Sequence, residues 1–408
     1  MAAGRGERLW PLTEDTPKPL LPIANKPILE RTLEALASAG IRQIMLVVGF
    51  RNEKIRDRLE KEATGSEIKY LKQKTPKGTA DALGTCGKEL QGEDRFLVVY
   101  GDDYYQTSVP RTFLAKSRGN KGITIGTANV PDASSFGKIQ SRRGLVTEIR
   151  EKASKAEPGQ VNAGIYLMDQ SIFSAIRKTK RSIRGELELT DALKILMSDG
   201  VPVHAQDLGS CRWLGVSYPW DLLEANEWAV ESERPVSKGT VERGVQIRGS
   251  AVLEEGSVVK AGSYLEGPVH IGKRCHIGPN AYLRPYSSLG DDVKVGAGCE
   301  IKNSIVMKNT KIPHLSYVGD SILGEGCSLG AGTITANLRF DEAQIKSKLR
   351  GSWVGSGRKK LGAIFGDGAK TGINVSTFPG VKIGRGAWIG PGAIVDHDVP
   401  SNARYKAS

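Results

Sequence analysis

A period of six constrains this chain more than any other feature. Counting in sixes gives Ile247, Leu253, Val259, Leu265, Ile271, Ile277, Leu283, Leu289, Val295, Ile301 and Met307, all large and aliphatic. Neither the 3.6-residue turn of a helix nor the two-residue alternation of a strand sets such a count. Strands of a sandwich recur every ~8–12 residues and do not keep one phase over sixty. The run predicts a left-handed parallel β-helix of hexapeptide repeats, each hexad forming one short side of a stacked coil. Gly follows the aliphatic residue in Ile271-Gly272, Ile277-Gly278 and Leu289-Gly290. It reads as a corner residue that reaches positive φ without a steric penalty. Cys275, Cys299 and Cys327 each stand two residues before a hexad aliphatic, a place for small buried side chains.

The phase fails twice. Lys311 to Asp320 breaks it after Met307, and it resumes shifted at Leu323 and Leu329. Ala336 to Gly362 breaks it again, with seven basic residues against two acids, before it returns at Phe365. Interruptions of a solenoid are read as loops, where function collects. His314, in the first break, is the side chain best suited to take a proton near neutral pH.

The half before the hexads has another rhythm. Strands are expected at Ile44–Val48, Ile68–Leu71, Phe96–Tyr100, Ile123–Asn129 and Val161–Met168, and helices at Pro27–Ala39, Glu186–Met197 and Pro219–Glu227. That alternation predicts a doubly wound, Rossmann-like α/β domain. The domains are placed at 1–232 and 244–408, with 233–243, polar and holding Pro235 and Gly239, as linker. The opening Gly4-Arg5-Gly6-Glu7-Arg8 is a loop able to offer N–H groups to phosphates. Thr16-Pro17-Lys18-Pro19 pins a cation in a stiff segment. Asp102 and Asp103 follow the Phe96–Tyr100 strand, where carboxylates at the end of a parallel strand suit Mg²⁺.

The net charge of +13 comes from dispersed basic residues, which favours anionic small substrates over nucleic acid. The five cysteines show no C-x-x-C spacing, so neither a zinc site nor a disulfide framework is expected. No apolar run nears the ~18 residues of a membrane span, and a soluble, cytoplasmic protein with no membrane partner is expected.

The strings AAGRGERLWPLTEDTPKPLLPIANKP, QKTPKGTADAL, VVYGDD, FGKI, Glu151-Lys152 and VNAGIY together resemble the sugar-1-phosphate nucleotidyltransferases. KIPHLSYVGDS, LGAGTITAN, NAYLRP and CEIKNS resemble the acetyltransferase half of the bifunctional N-acetylglucosamine-1-phosphate uridylyltransferase/glucosamine-1-phosphate acetyltransferases, archaeal type. The first resemblance implies that Gly4, Gly6, Arg8, Lys18, Gln73, Gly78 and Thr79 hold the nucleotide UTP, with Arg8 and Lys18 also catalytic. It implies Asp102 on Mg²⁺, and Gly137, Glu151 and Asn162 on the sugar phosphate. The second implies His314 as general base, Arg284, Lys302 and Tyr317 on the sugar phosphate, and Ala331 and Asn337 at the acetyl-CoA thioester. It also implies a homotrimer through the β-helix.

The chain departs from the pattern in three places. The family's first strand would end at Met1. Gly215 stands where a second metal ligand is usual, with Asp207 or Asp221 as substitutes to consider. Ser328 replaces an Asn, a change that admits the galactosamine epimer. An acetyltransferase with a silent first half, and a non-enzymatic scaffold, are the competing expectations.

Overall fold

The structure is a computed structural model describing residues 1–61, 65–151, 157–349 and 351–406; the side chain of Glu151 lies outside the described part. The chain divides into two compact units. One holds Met1–Arg5, Pro17–Leu20 and Ile28–Gly215, and the other holds Gly6–Thr16, Leu21–Pro27 and Val216–Ser408.

In the first unit the expected strands form as Gln43–Val48, Glu67–Lys72, Phe96–Val99, Ile123–Val130 and Gly159–Met168. A six-stranded sheet runs in the order Phe96–Val99, Gly159–Met168, Ile123–Val130, Val203–Asp207, Leu145–Glu151, Gly137–Arg142. Gly159–Met168 is antiparallel to both strands beside it, and Val203–Asp207 is parallel to Ile123–Val130. The strand that delivers Asp102 therefore pairs antiparallel with Gly159–Met168, which corrects the expectation of a parallel neighbour.

Gln43–Val48 and Glu67–Lys72 form a separate parallel pair. Residues 1 and 2 lie between the two sheets. Ala2 N–H donates to Val47 O (2.8 Å), and the Met1 amine donates to Val99 O (2.7 Å). Burial lowers the pKa of that amine. A cavity of about 770 Å³ adjoins Met1, with Ile44, Leu46, Phe96, Val98 and Leu90 among its walls.

The second unit is built on the parallel β-helix. Its core is a stack of mostly aliphatic rungs, with Phe365 and the buried Thr335, Thr371 and Thr377 also at rung positions. On the first wall Leu253, Ile271, Leu289, Val306, Leu323, Phe365 and Ile383 pair in register. Each fully buried Leu, Ile or Val contributes roughly 1.5–3 kcal/mol. The cysteines behave as read: Cys275, Cys299 and Cys327 are buried and free. Burial pushes the thiols of Cys275 and Cys327 up to about 12. Pairing begins at Val236, inside the stretch read as linker.

Two details of the hexad reading are corrected. Leu289 pairs with Val306, seventeen residues on rather than eighteen, so Val306 and not Met307 is the rung. A second seventeen-residue step follows, from Val306 to Leu323. Lys311 to Asp320 is therefore no loop. Lys311–His314 pairs with the Lys294–Ala297 strand, and Tyr317–Gly319 pairs with Glu300–Lys302. Losing one residue at a corner shifts the count along the chain but leaves the ladder between coils intact. The second break is a true excursion. Leu323 pairs with Phe365, and the intervening chain carries an antiparallel hairpin of Lys346–Leu349 and Ser352–Gly355. Lys382, 1% exposed, holds that hairpin to the coil through Ser347 Oγ (3.0 Å) and the Lys348 carbonyl.

The corner reading also changes. Positive φ recurs three residues after the rung, at Arg274, Asn280, Asp292, Gly298, Asn309 and Gly326. Of the three glycines singled out, only Gly278 has it (φ 89°). At Gly290 the coil above excludes a side chain, since a Cβ would lie 2.6 Å from Lys308 N. The tightest such place is Gly296, where a Cβ would lie 1.7 Å from Pro313 O. Gly296→Ala is expected to cost about 3 kcal/mol, lowering Tm by roughly 6–12 °C. Gly326→Ala, with nothing within 4 Å of the added Cβ, carries only the strain of positive φ, about 1–2 kcal/mol. Calorimetry showing Gly296→Ala to be the milder change would contradict the close-approach explanation.

The helix Pro219–Ser232 joins the solenoid through buried polar groups. Asn226 accepts from Ala24 N–H (2.9 Å) and donates to Tyr286 O (2.8 Å). Just past the helix, Glu233 Oε2 lies 2.7 Å from Nδ1 of the buried His270. Glu254 Oε1 lies 3.3 Å from its Nε2, close enough for an ion pair but off the hydrogen-bond direction. Burial alone would lower the His270 pKa, yet the two carboxylates raise it to about 9. An imidazolium held this way stabilises the fold fully below the unfolded value of ~6.5, and the gain is lost as pH rises through 9. Stability of wild type relative to His270→Gln is expected to fall by up to about 3 kcal/mol between pH 6 and pH 9.5. Denaturant midpoints for both proteins across that range would test this, and a constant difference would refute it.

Candidate active sites

In the first unit, a short turn at Lys18–Leu20 sends the Lys18 ammonium to Asp102 Oδ2 (2.9 Å) and Asp103 Oδ1 (3.7 Å). Asp103 is buried, while the Asp102 side chain keeps 28% exposure. Hard carboxylate oxygens beside a cation that also attracts phosphate fit Mg²⁺, which takes one or two carboxylates plus substrate oxygens. Gly215 adds nothing to that set. A Cβ there would lie 2.6 Å from the Phe136 ring. Asp221, considered as a substitute ligand, caps its own helix by accepting from Ser217 and Tyr218 N–H (both 2.7 Å). Asp207 accepts from Gly209 N–H (2.9 Å). Among the described residues no group of three or more His, Cys, Asp or Glu could hold a metal.

The remaining residues named for this half fall into place unevenly. Gln73 is buried and donates to Gly78 O (3.1 Å) and Asp81 Oδ2 (2.8 Å), so both protons of its amide are used. Gly78 must be glycine: φ is 119° and a Cβ would lie 2.4 Å from Leu187 O. The Thr79 hydroxyl accepts from Leu189 N–H (2.9 Å) at the start of another helix. Asn162 spends its amide on a bulge in its own strand, accepting from Gly164 N–H (2.9 Å) and donating to Tyr166 Oη (2.6 Å). Gly137 opens a strand whose last rung pairs it with Glu151. Gly4 lies in this unit, whereas Gly6 and Arg8 belong to the second. There the Arg8 guanidinium stands 5.9 Å from the Tyr218 ring.

In the solenoid the named residues converge around one corner. His314 ends its strand on the second wall, Tyr317 opens the third wall, and only Leu315 and Ser316 intervene. The His314 ring is exposed and, among the described residues, has no hydrogen-bond partner. Gly332 N–H in the next coil donates to His314 O (3.3 Å), which stacks the Ala331 corner on it. The Ala331 N–H has no acceptor among the described residues, as an oxyanion donor requires.

Arg284, Lys302 and Tyr317 lie on successive coils of the third wall. Arg284 donates to Glu300 Oε1 (2.8 Å), and its buried Nε has no hydrogen-bond partner among the described residues. Burial raises the pKa of Tyr317, so it stays a neutral hydroxyl. Asn337 donates to Tyr317 Oη (3.0 Å). The sequence reading missed Asp320, 2% exposed, which accepts from Lys302 Nζ (2.8 Å), Asn303 Nδ2 (3.0 Å) and Asn337 Nδ2 (2.5 Å). It stands inside KIPHLSYVGDS, but its partners come from as far as eighteen residues away, so that string alone does not show what it holds.

An α/β unit carrying Lys18 and Asp102, joined to a parallel β-helix with a His-centred corner, defines the class of two-headed nucleotidyltransferase and acyltransferase proteins. The family model "nucleotidyl transferase" matches residues 1–232, and "GMPPB C-terminal domain" matches 265–350. The bifunctional protein GlmU of Methanocaldococcus jannaschii is 42% identical over 407 residues, covering 98% of this chain and 95% of the relative. A bifunctional sugar-1-phosphate nucleotidylyltransferase/acetyltransferase of Sulfurisphaera tokodaii is 39% identical, covering 100% of this chain and 98% of the relative. A crystal structure from Bacillus anthracis, assigned as a glucose-1-phosphate thymidylyltransferase, superposes with TM-score 0.50 at 29% identity, covering 56% of this chain and 92% of that one. The chain belongs to the family of bifunctional sugar-1-phosphate nucleotidylyltransferase/acetyltransferases. No helix among the described residues is long and apolar enough to cross a membrane.

Proposed function

We propose that the protein makes a UDP-N-acetylhexosamine in two steps. The solenoid acetylates glucosamine 1-phosphate from acetyl-CoA, and the first unit joins the product to UTP with release of pyrophosphate. The observation that carries this reading is the gathering of Arg284, Lys302, Tyr317 and Asn337 beside His314, in a chain matched end to end by bifunctional relatives.

In acetyl transfer, His314 takes a proton from the neutral 2-amino group of the sugar as it attacks. The nitrogen forms a bond to the thioester carbon, whose oxygen turns anionic and is met by the Ala331 N–H. The carbon–sulfur bond then breaks, and the CoA thiolate leaves as the thiol with the proton from His314. Arg284, Lys302 and the Tyr317 hydroxyl hold the sugar phosphate, and Asn337 lies at the thioester. In nucleotidyl transfer a sugar-phosphate oxygen attacks the α-phosphorus in line with departing pyrophosphate. Positioning and cations carry such a step. Lys18 holds triphosphate oxygens, and Gln73 reads the base. Mg²⁺, held by Asp102, would supply charge neutralisation.

Three copies joined through their β-helices fit the exposed Leu315 and Ile334 near the His314 corner. The short Ser328 side chain leaves room for galactosamine 1-phosphate as a second acceptor.

One observation favours a second reading, acetyl transfer alone: the Phe136 ring fills the place of any side chain at position 215. Purified protein given glucosamine 1-phosphate, acetyl-CoA, UTP and Mg²⁺ decides between them. Release of both CoA and pyrophosphate is expected. CoA without pyrophosphate selects the second reading, and neither product overturns both.

A further inference from the structure

We propose that Asp320 is the positioning residue of the acetyl-transfer site, turning Asn337 so that its amide oxygen, and not its NH2, faces the ligand. The proposal rests on the acetyl-transfer reading of the solenoid.

Asp320 follows the third-wall strand in a left-handed conformation, φ 47°, which glycine, asparagine and aspartate adopt more readily than other residues. Its backbone is fixed on both sides: its N–H donates to Lys302 O (2.8 Å) and its carbonyl accepts from Gly362 N–H (2.8 Å), where the excursion returns. The side chain is thereby driven inward, where its carboxylate meets three donors. Two of them, Lys302 and Asn337, are site residues. The third, Asn303, also donates to Glu227 Oε1 (3.0 Å), which in turn holds Arg358 of the excursion (2.8 Å). One buried carboxylate thus joins two coils to the start of the excursion.

The chemical consequence follows from what a carboxylate can do. Facing the Lys302 ammonium at 2.8 Å, the carboxylate oxygen accepts, so the Asn337 group within 2.5 Å of it is the NH2. The second proton of that NH2 goes to Tyr317 Oη (3.0 Å). Both donors of Asn337 are spent, and among the described residues no donor meets its Oδ1. Asn337 therefore offers an acceptor. It cannot stabilise an oxyanion, which is left to the Ala331 N–H. It can accept an N–H of the attacking amine and aim the nitrogen lone pair at the thioester carbon.

A hub of this kind could equally serve stability alone, so the test needs a readout that stability does not move. In Asp320→Asn, the new amide can donate to Asn337 Oδ1 and turn Asn337 around. Its kcat for CoA release is expected to fall about 100-fold at saturating acetyl-CoA, with pyrophosphate release from supplied N-acetylglucosamine 1-phosphate unchanged. In the double variant Asp320→Asn with Asn337→Asp, donor and acceptor are exchanged and position 337 again presents an acceptor. At least tenfold of the lost kcat is expected to return, although Tm need not. Asp320→Asn with wild-type kcat and only a lowered Tm would overturn the proposal, as would a double variant no faster than Asp320→Asn. Wild-type protein that releases no CoA overturns the parent reading instead, and this one with it.

Discussion

His314→Ala is expected to slow CoA release by roughly 10²–10⁴-fold, the usual contribution of a positioned general acid–base. Pyrophosphate release from N-acetylglucosamine 1-phosphate and UTP should continue at the wild-type rate, because His314 lies in the solenoid and the nucleotidyl chemistry is assigned to the other unit. The ring makes no hydrogen bond within the described structure and is exposed, so its removal costs the fold little. A large loss of rate with an unchanged Tm is therefore the signature of chemistry rather than unfolding. A variant that releases CoA within threefold of wild type would take His314 out of the mechanism.

Asp102→Ala should cut pyrophosphate release by more than about 100-fold, equivalent to roughly 3 kcal/mol of lost transition-state stabilisation. The size follows from the absence of any side chain at Gly215 and from the use of Asp221 as a helix cap. Asp102 is left as the partly exposed carboxylate next to Lys18, while its neighbour Asp103 is buried. The variant also releases Lys18 from its closest partner, so the KM for UTP should change less than kcat. CoA release by the solenoid should be unaffected. Retention of pyrophosphate release within fivefold would mean that another group anchors the metal.

How far the sequence carried depended on what each residue's neighbours are. A rung such as Leu283 announces itself because the same kind of side chain returns six residues later. The step to Val306 stayed hidden because Met307 beside it is aliphatic too, and a list of residues cannot say which of two adjacent side chains points inward. The hairpin of Gly137–Arg142 and Leu145–Glu151 was missed because its exposed strands are rich in charge and lack an apolar alternation.

Sites showed the same split. Lys18 and Asp102 meet across eighty-four residues, yet each stands in a local string that points to phosphate or metal. Asp320 stands in the same string as His314, and what singles it out is contact with Lys302, Asn303 and Asn337 from other parts of the coil stack. Asn162 and Thr79 show the converse, since polar side chains in recognisable strings are also bonded to the backbone around them.

The pairing of Leu323 with Phe365 has a consequence for how such a protein can change over generations. The rungs on either side of the excursion bond to one another as if nothing lay between them. The entropy of closing a loop grows only slowly with its length, by about 0.6 kcal/mol per doubling. The segment from 336 to 362 can therefore be lengthened, shortened or rewritten without asking any rung to move. Its moorings among the described residues include Asn337, Arg358 and the Ser347–Lys382 contact, and there such editing must be matched on the frame. The excursion is thus an exchangeable cassette, while the scaffold that displays it keeps its own ladder.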